Sequence, residues 1–220
     1  YSFFHSIPEA HIYEHSIEVQ LPFLQYYLKK PFKIIPILIG THNEALLKEM
    51  ANSLKPYFNE ENLFVISSDF SHYPNYEDAT HADYTMKEAI ISNRVSNVIE
   101  ALNHNRDANI QNLATSACGI SAILTLLYLT EKKTSVTIES IKYMNSGDSK
   151  WGDHLRVVGY WSFVVTSKAQ NEGFGLSGHD KTNLLVLARK TIETKLTKKQ
   201  FYNPPTQEYS KNLFVPTGVL

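Results

Sequence analysis

The residues best suited to chemistry fall in one short segment, Ser67-Ser68-Asp69-Phe70-Ser71-His72-Tyr73. A histidine titrates near neutral pH and acts as proton carrier or metal ligand, and a carboxylate beside it fixes its tautomer and orientation. Asp69 and His72 therefore suit acid/base or ligand work. Their plain structural alternative is Asp69 capping the next turn with His72 on an exposed loop. Cys118 is the single cysteine of the chain. It stands in Ala117-Cys118-Gly119 at the start of an apolar run, and a helix N-terminus there favours the thiolate, the form that binds metal or attacks an electrophile. A small buried thiol without chemistry is the other reading. Glu14 and His15 form a candidate binding pair just ahead of an amphipathic stretch, with His15 either turned into a cleft or satisfying local backbone groups.

Other motifs say less. Asn145-Ser146-Gly147-Asp148 reads as a polar turn at a strand end that could also line a crevice. The remaining histidines, at positions 5, 11, 42, 81, 104, 154 and 179, show no partner pattern. The sequence has no H-E-x-x-H helix, no G-x-x-x-x-G-K-[ST] and no G-x-G-x-x-G, so helical zinc proteases, phosphate loops and dinucleotide folds are unsupported.

Elements must hold these residues. Phe32 to Gly40 and Asn62 to Ser67 are short runs rich in β-branched residues and read as buried strands, with Pro36 a flaw in the first. Asn43 to Tyr57 carries Leu46, Leu47, Met50 and Leu54 on one helical face, so strand, helix and strand suggest a βαβ unit. The SSDFSHY segment then follows a strand's carboxyl end, where open α/β sheets build their crevices. Asp78 to Asn103 predicts a long helix, with Ser92-Asn93 the place for a break. Cys118 to Leu129 predicts a buried helix, and Thr134 to Met144 and Arg156 to Val165 predict two further strands. Ser16 to Lys29 is amphipathic, with Pro22 either kinking it or in its first turn. Residues 166–180 turn polar and Gly-rich like a linker, and Lys181 to Thr197 reads as an amphipathic helix.

The 220 residues are 43% apolar and 20% charged with a net charge of -1, an ordinary globular composition without the basic footprint of a generic nucleic-acid binder. The longest apolar stretch, Ile120 to Leu129, is half of the roughly 20 residues a spanning helix needs, so no membrane segment is expected. One cysteine excludes an internal disulfide framework and fits a reducing cytoplasm. Beginning at Tyr1 with neither an initiator Met nor a basic-then-apolar leader, the chain reads as a fragment without a signal peptide.

Five ordered blocks, EHSIEVQLPFLQ, IIPILIG, FVISSDFSHY, ACGISAILTLL and NSGD followed by RVVGYWSF, together resemble the Memo family, also called AmmeMemoRadiSam system protein B. NLLVLARKTIETKL, ending in PTGV, is similar to the opening of an AMMECR-type domain, the system's protein A. The resemblance implies a Memo-like domain at 1–166, a linker at 167–180 and the start of an AMMECR-type domain at 181–220. The Memo family in turn resembles LigB-type class III extradiol dioxygenases. That implies an α/β fold with a mixed sheet flanked by helices, and a non-haem iron or copper site. His72 then corresponds to the acid/base histidine with Asp69 beside it, and Cys118 to a metal ligand where the dioxygenases use a carboxylate.

The family's N-terminal half, carrying two ligand histidines, is expected to be missing, so this stretch alone should hold metal poorly. The unmatched strands at Phe32–Gly40 and Asn62–Ser67 should leave apolar surface exposed. Implied functions are a metal-dependent oxidoreductase or, alternatively, a non-catalytic metal-, ligand- or peptide-binding partner in a system with a radical-SAM protein. A Cys118-His72-Asp69 hydrolase is the third reading the residue types allow.

Overall fold

The computed structural model describes residues 4–28, 30–167 and, further on, positions 182, 183, 186, 189, 190, 193, 194 and 197–200. The chain divides into two units, Tyr1–Ser167 and Lys168–Leu220. In the second, the described positions from 182 to 198 are helical, and Arg189 lies 4.0 Å from Glu193 one turn on. The expected linker beyond Ser167 and the segment from 201 onward fall outside the described residues, as does Lys29.

The first unit is built mainly from helices. α1 (Leu21–Tyr27) holds Pro22 in its first turn, where a missing N–H costs nothing. α2 (Glu44–Leu54) starts at Asn43, whose side chain accepts from the N–H groups of Ala45 and Leu46 at 2.9 and 3.2 Å. It buries Leu47 and Met50 but leaves Leu46 at its edge in solvent. α3 (Tyr76–Ile91) is capped by Asn75, and α4 (Val95–Asp107) follows after the expected break. Asn93 makes that break with φ of 51°, a left-handed conformation asparagine tolerates better than most residues. Its side chain is locked to Thr130, whose hydroxyl donates to Asn93 Oδ1 at 2.6 Å. α5 (Ile120–Thr130) is the buried helix, contributing Ile123, Leu124 and Leu127 to a core shared with Leu47, Met86, Val98 and Phe70.

Two strands complete the unit. β1 (Val136–Asn145) and β2 (Gly159–Ser167) pair antiparallel, from Val136 opposite Ser167 to Asn145 opposite Gly159. β2 therefore runs through Thr166 and Ser167, residues whose composition had suggested a linker. A bulge lies between Ser140 and Lys142. Upstream of it Val136 and Ile138 are buried; downstream the parity flips, so Tyr143 and Asn145 turn inward and Ile141 is left 62% exposed.

The expected strands at Phe32–Gly40 and Asn62–Ser67 are not formed, and with them the βαβ unit and the mixed sheet. A strand exists only when a neighbour completes its backbone ladder, and among the described residues neither segment has one. Ile35 and Leu63 stand 86% and 70% exposed, while Ile39 and Ile66 still pack on the core. No described helix is long and apolar enough to cross a membrane.

Candidate functional site

The segment from Asp69 to Tyr73 threads between two others. His72 bridges to Thr115 on one side and Val158 on the other, both antiparallel. Its N–H donates to Thr115 O at 3.0 Å, and its C=O accepts from Ala114 N–H at 3.0 Å. Flanking it, Phe70 N–H donates to Gly159 O at 2.9 Å and Tyr73 N–H to Val157 O at 2.7 Å. His72 thus sits on backbone held from both sides, although its chain neighbours fall outside any regular strand.

Cys118 is brought to the same place by a loop crossing. Its N–H donates to Asp69 O at 3.1 Å, and Asp69 N–H donates back to Cys118 Sγ at 3.2 Å. Ser68 clamps the pair, accepting from Gly119 N–H at 2.9 Å and donating to Asp69 O at 2.7 Å. Gly119 is required here, because a Cβ would stand 2.7 Å from both Ser67 O and Ser68 Cβ.

The result is a cluster of Asp69, His72 and Cys118 whose ligand atoms all lie within 4.8 Å of one another. His72 Nε2 is 3.5 Å from Asp69 Oδ2. That nitrogen is buried, yet among the described residues no atom makes a hydrogen bond to it. Asp69 is about half exposed and Cys118 is open to solvent, so the cluster has a buried side and an accessible side. Such an arrangement can bind a cation through three different donors, or pass a proton between imidazole and carboxylate.

Several neighbours carry no signal that sequence reading used. Tyr160 on β2 is raised above the ordinary phenol range by burial and by the charge of Asp69. Gln20, just before α1, donates from Nε2 to Ser67 Oγ at 3.0 Å. Behind the segment, Asp83 on α3 is fully buried and accepts from Ser71 N–H at 2.8 Å, Ser71 Oγ at 3.0 Å and Tyr143 OH at 2.9 Å. Burial pushes its carboxyl up to about 6, against the lowering pull of those donors. One signal could have found it: Asp83 lies on the apolar face made by Ala79, Ala82, Met86 and Ile90.

Glu14 and His15 do not belong to the cluster. Glu14 Oε1 accepts from Ser16 N–H at 2.7 Å, a bond that holds its carboxyl below the usual range, and His15 is exposed. Asn145 to Asp148 form a capped turn in which Asp148 accepts from Tyr76 OH at 2.7 Å, the turn reading of that motif.

Residues 2–164 match the family described as Memo-like protein. The chain belongs to the Memo-like family. Among its relatives, a MEMO1 family protein of Methanosarcina mazei is 37% identical over 71% of this chain and 56% of its own length. One from Desulfurococcus amylolyticus is 34% identical, covering 69% and 51%, and one from Thermoplasma acidophilum 32%, covering 71% and 54%. The chain spans about half the length of the curated relatives it matches.

Proposed function

We propose that Asp69, His72 and Cys118 form part of a non-haem metal site in a metal-dependent oxidoreductase of dioxygenase ancestry, acting in the cytoplasm. The observation that carries the reading is the buried, unbonded His72 Nε2 facing a carboxylate within a cluster that also contains a thiol. Cys118 Sγ lies within 4.8 Å of the His72 and Asp69 donor atoms, so a metal held by the thiol would stand beside an imidazole and a carboxylate that are themselves 3.5 Å apart. The donor set fits the group.

Cys118 supplies the soft ligand, which selects iron or copper over magnesium or calcium. Bound there, such a metal supplies Lewis-acid and redox chemistry. His72 holds or moves a proton at Nε2, and Asp69 orients the ring and stabilises its charged form. Ser68 and Gly119 keep the thiol loop against the Asp69 backbone. Solvent-facing Cys118 and half-exposed Asp69 leave one side for substrate. Residues 181–220 are read as the start of an AMMECR-type domain, with a radical-SAM protein as the third member of the system.

Elemental analysis of the complete gene product, purified without added metal, tests the reading. Stoichiometric iron or copper that is lost in Cys118→Ser is expected. Metal retained in that variant removes the ligand assignment, and none in either protein replaces the oxidoreductase with a binding protein.

A further inference from the structure

We propose that Asp83 is a positioning residue for the Asp69–His72–Cys118 cluster, acting through Ser71; the inference rests on the functional reading above. Asp83 is 0% exposed, and among the described residues no Lys, Arg or His pairs with it. An apolar residue at this point of α3 would join Ala82 and Met86 in the core at no desolvation cost. What the carboxylate provides instead is a grip on one residue. Both Ser71 N–H and Ser71 Oγ donate to it, at 2.8 and 3.0 Å, while Ser71 O accepts from Gly159 N–H at 2.9 Å. Every polar atom of Ser71 is thereby fixed, and the next residue is His72.

Two further departures from simple strand design serve the same contact. Position 159 is glycine because any Cβ there would overlap Asp83 Oδ2. The β1 bulge turns Tyr143 inward, so that its hydroxyl reaches Asp83 Oδ2 at 2.9 Å. Elements from α3, β1 and β2 thus converge on the backbone direction that aims the His72 ring at Asp69.

The test uses the full chain and two readouts of geometry: the alkylation rate of Cys118, its only thiol, with iodoacetamide, and the ring nitrogen-proton correlations of His72 by NMR. Asp83→Asn turns one of the two accepting oxygens of the grip into a donor and removes the charge, and Tyr143→Phe loosens Asp83 from β1 without touching the 69–73 segment. Thr130→Ala, which breaks buried bonds at the far end of α5, serves as a control for lost stability alone. Expected is a several-fold change in alkylation rate and a shifted His72 ring signal in both variants, with neither in Thr130→Ala at equal folded fraction. Spectra and rates in Asp83→Asn and Tyr143→Phe that match the control overturn the inference. His72→Gln separates the two readings. If it leaves the Cys118 rate unchanged, the cluster reading falls and the positioning role with it; if it alters the rate while the Asp83 and Tyr143 variants do not, only the positioning role falls.

Discussion

Replacing Asp83 by Asn should change how stability responds to pH in a direction opposite to that of most carboxylates. In the fold its carboxyl is pushed from 3.8 up to about 6 by burial. Between those values the folded chain keeps a proton that the unfolded chain has released. Its contribution is therefore fully present below the lower value and is lost as pH rises through the upper one. A shift of about two pH units corresponds to about 3 kcal/mol. Carboxyls such as Asp148, lowered by its bond from Tyr76, act the other way and lose stability as pH falls. The informative quantity is therefore wild type minus Asp83→Asn, in which those groups cancel. Urea unfolding followed by tryptophan fluorescence reports the first unit alone, since both tryptophans, Trp151 and Trp161, lie in it. The difference in unfolding free energy should fall by about 3 kcal/mol as pH rises from below 3.8 to above about 6. A flat difference, or one that rises with pH, would refute the reasoning that burial dominates at Asp83.

Other substitutions probe separate parts of the argument. Gly159→Ala places a methyl group onto Asp83 Oδ2, and a loss of about 3 kcal/mol or more in urea unfolding is expected; near wild-type stability would mean that α3 can withdraw. Asn43→Ala strips the α2 cap of an acceptor for two N–H groups and should cost about 1 kcal/mol by the same assay, leaving the Cys118 alkylation rate as it was. Gly119→Ala must push the thiol loop off Ser67 and Ser68, so alkylation of Cys118 should change along with a loss of stability.

Local rules were legible where they act within a few residues. The helix pattern from Asp78 onward, its break, and both strands after Thr134 were readable because periodicity and caps are local signals. Asp69, His72 and Cys118 stood out in the sequence as candidates by residue type, and the fold brings them together by loop crossings that no spacing encodes. The failed strands mark the limit from the other side. Phe32–Gly40 and Asn62–Ser67 have strand composition, but a ladder is a property of two segments, and composition describes only one. Asp83 was missed because a charged residue on an apolar helix face looks like an interruption until its donors, 12 and 60 residues away, are seen. Ser68 and Tyr160 lay inside quoted motifs, yet their roles depend on which neighbours the loops bring to them.

The bulge in β1 has a bearing on how relatives should be aligned. Because inward and outward positions alternate, the unpaired extra residue at Ile141 is what lets Ser140 and Tyr143 both face inward; a regular strand of the same residues would turn Lys142 toward the buried carboxylate instead. A relative lacking that residue would keep its counterparts of Lys142 and Tyr143 on the faces they occupy here, with a regular strand in place of the bulge. Alignments that close the gap silently would then equate residues on opposite faces of the sheet. Within this family, the length of the segment between Ile138 and Tyr143 is therefore as informative as the identity of any residue in it.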